Sequence, residues 1–238
     1  MQITALGDSA LIVRLRDQFE DAPEETLNEV LRAFQQLRSA AIPCVIEVAP
    51  AYTSVAVFFD PIAVAKASAT PGEGFDWLTK RVRDAVGRAA DRGRAVKTSS
   101  RIVEIPVCYD SEFGLDIDRV AEHAKVSTPE VVDLHSAAQY RVSCIGFTPG
   151  FPFLSGMPKR LATPRRDVPR KEILAGSVGI GGPQTGIYPL RSPGGWNLIG
   201  RTPLKLFDPT KDPPALLRAG DRVRFRAIKR AEFDSLKR

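Results

Sequence analysis

The first part of this 238-residue chain has the hydrophobic pattern of helices alternating with strands. Apolar residues at Leu27, Val30, Leu31, Phe34 and Leu37 recur at helical spacing after a start signal at Asp21, the candidate N-cap. A second helix is predicted from Gly74 to Ala90. Apolar runs at Ala10–Leu15 and Val45–Asp60 predict strands, with the longer run forming two strands around a proline. This order predicts an α+β, ferredoxin-like domain with helices on one face of an antiparallel sheet.

Later in the chain the pattern changes to short apolar runs separated by glycine and proline. Of 18 glycines, 11 lie in residues 146–200, and of 19 prolines, 12 lie in residues 149–214. Ile, Val, Phe, Trp and Tyr are interspersed, so short strands joined by tight turns are predicted rather than disorder. A strand over residues 101–109 and two short helices, Asp116–Ala124 and Pro129–His135, precede this region. We predict a mainly-β barrel or sandwich.

A short polar segment, residues 91–100, separates the two regions and predicts a flexible linker. The predicted domains are therefore residues 1–93 and 101–238. Residues 1–94 carry 11 Lys and Arg against 13 Asp and Glu, while the remainder carries 23 against 15. This excess of positive charge favours an anionic ligand on the second domain. The charged terminal stretch, residues 229–238, is expected to be peripheral.

Composition also disfavours several classes of protein. No apolar run approaches the roughly 20 residues of a membrane-spanning helix, and the N-terminus lacks the features of a signal peptide, so a cytoplasmic protein with no membrane partner is expected. No nucleic-acid partner is expected, because no recognised motif accompanies the positive charge. Three widely spaced cysteines and two histidines predict no metal site. Cys108 and Cys144 are predicted to be buried, small apolar residues.

The glycine-rich string G-I-G-G-P-Q-T-G, from Gly179 to Gly186, is the first candidate site. Glycine allows main-chain N–H groups to approach an anion closely, and amide and hydroxyl side chains both donate and accept hydrogen bonds. The candidate contacts to a phosphate or substrate are Gly181, Gly182, Gln184, Thr185 and Gly186. The alternative is a purely structural loop of tight turns, since the string matches neither a P-loop nor a dinucleotide fingerprint.

The second candidate is a basic run between the two Gly/Pro-rich segments, which consists of Lys159-Arg160, Arg165-Arg166 and Arg170-Lys171. Arginine binds planar carboxylates and phosphates through its bidentate fork, so Arg165, Arg166 and Lys171 are candidate ligands of a phosphate or substrate. The alternative is a solvated face of a hairpin. Tyr188 joins these candidates as one of several proline-flanked aromatic residues that either pack in the core or line a pocket.

His135 is the third candidate, at the end of a predicted helix. A histidine there can act as an acid or base near neutral pH, which makes it the candidate catalytic residue. The alternative is a structural, hydrogen-bonded histidine.

Three long motifs carry a family resemblance: H-S-A-A-Q-Y-R-V-S-C-I-G-F-T-P-G-F-P-F-L from His135, L-A-T-P-R-R-D-V-P-R from Leu161, and G-S-V-G-I-G-G-P-Q-T-G-I-Y-P-L-R-S-P-G-G-W-N-L-I-G-R-T-P-L from Gly176. Together with G-D-S-A-L-I-V and V-A-P-A-Y near the N-terminus, they resemble the allophanate hydrolase subunit 1 or KipI family, also called carboxyltransferase domain, subdomains C and D. The resemblance covers nearly the whole chain. It implies a small N-terminal α+β domain followed by a cyclophilin-like β-barrel.

The activity that the resemblance most strongly implies is that of the B subunit of an ATP-dependent 5-oxoprolinase. Such a hydrolase subunit opens 5-oxoproline to L-glutamate with ATP hydrolysis, and we expect it to be inactive without its partners. The expected partners are the family's subunit 2 as a separate chain and a third subunit, and ATP with Mg²⁺ is the expected cofactor. The alternatives are a KipI-like inhibitor with a sensor histidine kinase as its partner, and an allophanate hydrolase or carboxyltransferase-type component.

Overall fold

The computed structural model describes residues 1–68, 70, 72–87 and 101–237. Contacts within the chain divide it into two units, Met1–Thr98 and Ser99–Arg238. The predicted linker, residues 91–100, lies outside the described residues, so the predicted domain bounds of 1–93 and 101–238 stay predictions. Each unit has a hydrophobic core of its own.

A four-stranded antiparallel sheet and the helices packed against it form the first unit. Its described elements are β1 (Gln2–Leu6), β2 (Ala10–Arg14), α1 (Pro23–Ala40), β3 (Val45–Ala51), β4 (Ser54–Phe59), α2 (Pro61–Ala67) and α3 (Gly74–Gly87). The strands pair in the order β1-β2-β4-β3. Alternate residues of the two central strands point to the same face, and Leu11, Val13, Val55 and Val57 are fully buried there. The predicted α+β class is confirmed.

Two elements of this unit escaped the sequence analysis, and one predicted cap is wrong. β1 completes a hairpin with β2. α2 is capped by Asp60, whose carboxylate accepts hydrogen bonds from the Ile62 and Ala63 N–H groups. Asp21 is not the N-cap of α1: the cap is Ala22, without a side-chain hydrogen bond. Pro23 sets this boundary, because its fixed φ and missing N–H suit the first helical position.

The second unit consists of short strands, with two helices after its first strand and one helix after its last strand. Its described elements are β5 (Ile102–Cys108), α4 (Ile117–Ala124), α5 (Thr128–Ala137), β6 (Tyr140–Ile145), β7 (Pro152–Ser155), β8 (Arg170–Ile173), β9 (Ser177–Gly181), β10 (Gln184–Ile187), β11 (Ser192–Gly194), β12 (Asn197–Arg201), β13 (Arg222–Ile228) and α6 (Arg230–Leu236). One turn of 3₁₀ helix covers Lys159–Leu161. Both predicted helices before the strands are confirmed.

Seven strands of this unit close into a barrel. They follow the order β6-β13-β5-β12-β9-β10-β7, and β7 pairs with β6 to complete the circle. β13 and β5 run parallel, while the other neighbouring pairs are antiparallel. β8 and β11 form a separate two-stranded sheet. The predicted mainly-β barrel is therefore confirmed, and its strands leave no unpaired edge around the circle.

The end of the second unit is more buried than its charge suggests. The segment expected to be peripheral contains α6, and Phe233 on this helix is only 1% exposed. Its ring lies 4.6 Å from that of Phe113, in a small cluster with Cys108 and Ile228. Because a single aromatic residue makes this contact, the segment has no hydrophobic periodicity from which its burial could be predicted. Cys108 and Cys144 are both free and buried, as predicted.

Among the residues that the structure describes, no helix combines the length and apolar character needed to cross a bilayer.

Candidate functional site

One buried carboxylate holds two arginines of the predicted basic run. Asp116 accepts hydrogen bonds from Arg166 Nη1 at 2.7 Å and from Arg170 Nη1 and Nη2 at 2.7 and 2.9 Å. It also accepts one from the Leu198 N–H at 2.8 Å. Burial raises the pKa of the Asp116 carboxyl, but hydrogen bonds from Arg170 and Leu198 and the charges of both arginines outweigh burial, so the pKa lies below its ordinary value. One negative charge thus faces two positive charges.

Aromatic rings form the floor beside these arginines. Phe151, Tyr188 and Trp196 are all at most 5% exposed. The Phe151 ring lies edge-on to Tyr188 at 5.1 Å and to Trp196 at 5.5 Å, an arrangement favoured by the ring quadrupoles. Above this floor, the Arg165 guanidinium carbon lies 5.9 Å from the Trp196 ring centroid, within cation–π range. We call Arg165, Arg166 and Arg170 the arginine surface.

The glycine-rich string forms the hairpin of β9 and β10, and its glycines accommodate Trp196. A Cβ atom at Gly181 would stand 2.5 Å from the indole, and one at Gly186 would stand 3.0 Å from the same ring and 2.8 Å from a backbone oxygen. Gly182 takes the turn with a φ of +64° and has open space around it. Close packing therefore explains the glycines at 181 and 186 without a ligand.

Backbone and side-chain hydrogen bonds tie the segment before the arginines to this hairpin. The Gly182 N–H donates to the Thr163 carbonyl at 2.8 Å, and the Arg166 N–H donates to the Gly195 carbonyl at 2.8 Å. Asn197 Nδ2 donates to the Pro164 carbonyl at 2.9 Å. The arginine surface is consequently fixed to the barrel rather than carried on a loose loop.

The Tyr188 hydroxyl packs against Gly194. A Cβ atom at Gly194 would come within 2.4 Å of the hydroxyl oxygen, and Gly194 is the β-partner of Arg170 across β8 and β11. Burial raises the pKa of Tyr188, while a hydrogen bond from the Trp196 backbone and the charges of Arg165 and Arg170 act in the opposite direction. The hydroxyl thus stays protonated at neutral pH, with two guanidinium groups close by.

The barrel encloses His135 completely, away from solvent. Its Nδ1 lies 2.8 Å from the Tyr109 hydroxyl, and its Nε2 lies 3.0 Å from Thr185 Oγ1. Thr185 donates its only hydroxyl proton to the Gly179 carbonyl at 3.0 Å. Thr185 Oγ1 therefore accepts a hydrogen bond from the His135 Nε2–H, and His135 Nδ1 accepts one from the Tyr109 hydroxyl. Burial lowers the pKa of His135 to about 3. The ring is therefore neutral and fully hydrogen-bonded at pH 7.

The predicted site residues consequently fall into separate groups. Arg165, Arg166 and Tyr188 meet at the arginine surface, whereas His135 and Thr185 lie together in the barrel interior. Lys171 is exposed on β8, and Gln184 is half-buried at the start of β10. Gly181 and Gly186 pack beneath Trp196, and Gly182 makes the turn. Contact of any of them with a ligand stays a prediction.

Sequence reasoning missed the residue that organises the surface. Asp116 lies 50 and 54 positions before the arginines that it binds, so no local motif links them. Arg170 belonged to the basic run but was not singled out, because its neighbours in the sequence look the same. Within the described residues, no three His, Cys, Asp or Glu side chains come together as metal ligands would.

The family described as carboxyltransferase domain, subdomain C and D, matches residues 1–217. This chain belongs to that family. The match includes the three long motifs on which the resemblance was based, up to Leu204, and the predicted family is confirmed.

Within this family, the chain is similar to curated 5-oxoprolinase subunits. The chain is 44% identical to the B subunit of the 5-oxoprolinase of Bacillus subtilis (strain 168), over 99% of this chain and 96% of that protein. Such relatives do not favour the kinase-inhibitor or allophanate-hydrolase alternatives. The relative's name also describes one subunit of an enzyme rather than a complete one.

Solved structures confirm the fold. The crystal structure of TTHA0988 matches 92% of this chain at 35% identity with a TM-score of 0.74, and this chain spans 40% of that chain. The urea carboxylase of Kluyveromyces lactis matches 98% of this chain at 20% identity with a TM-score of 0.72, and this chain spans 22% of that chain. Identity this low supports only a shared architecture, the α+β unit with a cyclophilin-like barrel.

Proposed function

We propose that this chain is the B component of an ATP-dependent 5-oxoprolinase, which opens 5-oxoproline to L-glutamate. The observation that carries the proposal is the 44% identity to a 5-oxoprolinase B subunit over 99% of the chain. The arginine surface gives the proposal a chemical basis. We expect the chain to act with a family subunit 2 on a separate polypeptide and with a third subunit, and to be inactive alone.

Opening a lactam ring requires a better electrophile than a neutral amide, and phosphorylation of the amide oxygen by ATP would supply one. Phosphoryl transfer from ATP and the later release of phosphate both place negative charge on phosphate oxygens. Fixed hydrogen-bond donors stabilise such charge most effectively in a site with little water. Arg165, Arg166 and the Tyr188 hydroxyl are donors of this kind, and the barrel holds them in place. We assign Lys171 to the exposed margin of the same surface.

ATP with Mg²⁺ is the proposed co-substrate of the complex. The donors of this surface suit a phosphate group, because guanidinium and hydroxyl groups donate to anionic oxygen. They do not suit the magnesium ion itself, which prefers carboxylate oxygen and water, since Asp116 is already bound by two arginines. We therefore expect the phosphates rather than the ion to contact this chain.

His135 has a structural role in this proposal, not an acid–base role. Its ring is enclosed, and both nitrogens are occupied by Tyr109 and Thr185. A neutral ring with no solvent contact cannot exchange protons with a substrate on the surface. Through Thr185 it supports β10, the strand that carries Gln184 and Gly186.

Reconstitution tests the proposal. The chain is produced with its subunit 2 and the third subunit, and release of ADP and L-glutamate from 5-oxoproline is measured. We expect both products in equal amounts only when all three chains are present. Arg165→Ala should lower the rate at least about tenfold, whereas Arg191→Ala, which removes an exposed arginine paired with Glu172, should not. No glutamate from the three chains together would overturn the proposal.

A further inference from the structure

We infer that the Tyr188 hydroxyl, Arg165 and Arg170 form a binding subsite for a single oxyanion, a carboxylate or a phosphate, and that Asp116 is the residue that positions it. Asp116 was not among the predicted site residues, and Arg170 was predicted only as a member of the basic run. The inference names the ligand chemistry of the arginine surface, and to that extent it rests on the proposed function.

The arginine surface and Tyr188 have more buried hydrogen-bond donors than acceptors. The Tyr188 side chain is only 2% exposed, and no hydrogen bond from its hydroxyl to an acceptor is found among the described residues. Arg166 Nε is likewise buried without a partner in the described part of the chain. Buried donors are normally paired, so an acceptor of hydrogen bonds is the missing component.

Both the strand that carries Arg170 and the Tyr188 hydroxyl lie next to Gly194. Arg170 lies opposite Gly194 in the β8–β11 pair, and Gly194 leaves the space that the Tyr188 hydroxyl fills. Arg165 lies over the Trp196 ring, and the charges of both Arg165 and Arg170 act on the Tyr188 hydroxyl. Guanidinium and hydroxyl groups can all donate hydrogen bonds to an anion.

Asp116 holds Arg166 and Arg170 in position. It binds both terminal nitrogens of Arg170 and one of Arg166, which fixes the planes of the two guanidinium groups. Its carboxylate oxygens are occupied by these arginines and by the Leu198 N–H, and its negative charge repels an oxyanion, so it does not itself bind the ligand. Its charge offsets only one of the two arginines, and the surface keeps its positive character. Asp116 therefore acts through the arginines, as a positioning residue.

A titration of the full chain tests the inference without partner subunits. The chain has two tryptophans, and Trp77→Phe leaves Trp196 as the only one, so its indole N–H signal in a ¹H–¹⁵N spectrum and its fluorescence report on the floor beneath Arg165. Sodium phosphate and sodium acetate are titrated separately at constant ionic strength. We expect a saturable change with at least one of them, and the anion with the lower dissociation constant identifies the ligand class.

Variants in the same Trp77→Phe background separate the subsite from general effects. Tyr188→Phe keeps the ring against Phe151 and removes only the hydroxyl, so it should weaken binding roughly tenfold or more, as does loss of a hydrogen bond to a charged group. Arg170→Gln should weaken binding at least as much. Tyr140→Phe removes a different buried hydroxyl, which donates to the His135 carbonyl, and should bind as the parent does.

Three results would overturn the inference: no saturable change with either anion, parental affinity in Tyr188→Phe, or an equal loss in Tyr140→Phe. Because the titration uses this chain alone, its failure would leave the reconstituted activity untouched. Conversely, an inactive three-subunit mixture together with a saturable, Tyr188-dependent titration would reject the proposed reaction and keep the subsite.

Discussion

The backbone of Gly181 lies directly beneath the Trp196 indole, so close that a Cβ atom would come within 2.5 Å of the ring nitrogen. Gly181 has no positive φ. Glycine is therefore required at this position by the neighbouring ring and not by the backbone angle. Because Arg165 lies over the same indole, the hairpin of β9 and β10 supports the ring on which Arg165 packs.

Gly181→Ala should destabilise the protein, because the new methyl group would overlap the Trp196 indole and force the ring to move. Overpacking of this kind costs about 1–3 kcal/mol of unfolding free energy, measurable by urea denaturation. Gly195→Ala is the matched control, since its Cβ would find its nearest neighbour at an ordinary 3.7 Å and should change stability by no more than about 0.5 kcal/mol. Equal effects of the two substitutions would show that the Trp196 contact is not the cause.

His135 should make the protein less stable as the pH falls. In the unfolded chain its pKa is near 6.5, whereas the folded chain keeps it neutral down to about pH 3. Between these values the unfolded chain binds more protons, so the free energy of unfolding decreases with falling pH by up to about 1.4 kcal/mol per unit from this residue. Urea denaturation at pH 4.5, 5.5 and 6.5 measures the slope.

The control for this slope is His135→Asn, which keeps a polar side chain but does not titrate. Its stability should be lower at pH 6.5, because the hydrogen bonds to Tyr109 and Thr185 are lost, yet its pH slope should be shallower than that of the parent protein. Parallel slopes would mean that His135 is protonated in the folded state.

Asp116→Asn should lower both stability and anion affinity. Removing the charge leaves two partly buried arginines without their counter-ion, which costs about 3 kcal/mol of unfolding free energy. Asp221→Asn provides a comparison, since Asp221 is a similarly buried carboxylate paired with Arg101. Its carboxylate binds Arg101 and the Arg218 N–H rather than Arg166 or Arg170.

Both aspartate variants should therefore unfold at lower urea concentration, but only Asp116→Asn should weaken phosphate or acetate binding, by tenfold or more. Asp116→Glu should restore part of the affinity, because a carboxylate returns to the arginines. Undiminished binding in Asp116→Asn would show that the arginines hold their positions without it.

Phe233→Ala should be strongly destabilising, despite its place in a charged terminal helix. Loss of a buried phenyl ring costs about 3–5 kcal/mol, and the ring of Phe113 would lose its partner at 4.6 Å. Leu236→Ala on the same helix should change stability by at most about 0.5 kcal/mol, since Leu236 is 43% exposed. Thermal unfolding of the two variants distinguishes a docked helix from a peripheral one.

Much of the fold was predictable because its cause is local. The helical spacing from Leu27 to Leu37 appears as α1, and the Ser127–Glu130 capping box begins α5 where the sequence predicted a start. Closure of the barrel was not predictable in this way. It depends on β7 pairing with β6 and on β13 pairing with β5 across more than 100 residues, and no single stretch of sequence records such a pairing.

The site was less predictable than the fold for the same reason. Arginines stand out in a sequence, but the carboxylate that orients them does not, because Asp116 resembles any other acidic residue at the start of a helix. Glycine composition was also ambiguous: Gly181 and Gly186 suggested an anion cradle, whereas their close neighbours are aromatic rings and a backbone oxygen. Family motifs identified the surface, and only the geometry separated its unpaired donors from packing residues.

The parallel pairing of β5 with β13 also has a kinetic consequence. These are the first and last strands of the second unit, and their paired residues, from Ile102 with Arg222 to Cys108 with Ile228, are all 120 positions apart. Contacts of such separation form slowly, because the chain pays the entropy of a long loop before they stabilise it. On the ribosome the circle of strands can be completed only after residue 228 has emerged, so the arginine surface is synthesised well before the barrel that holds it can close.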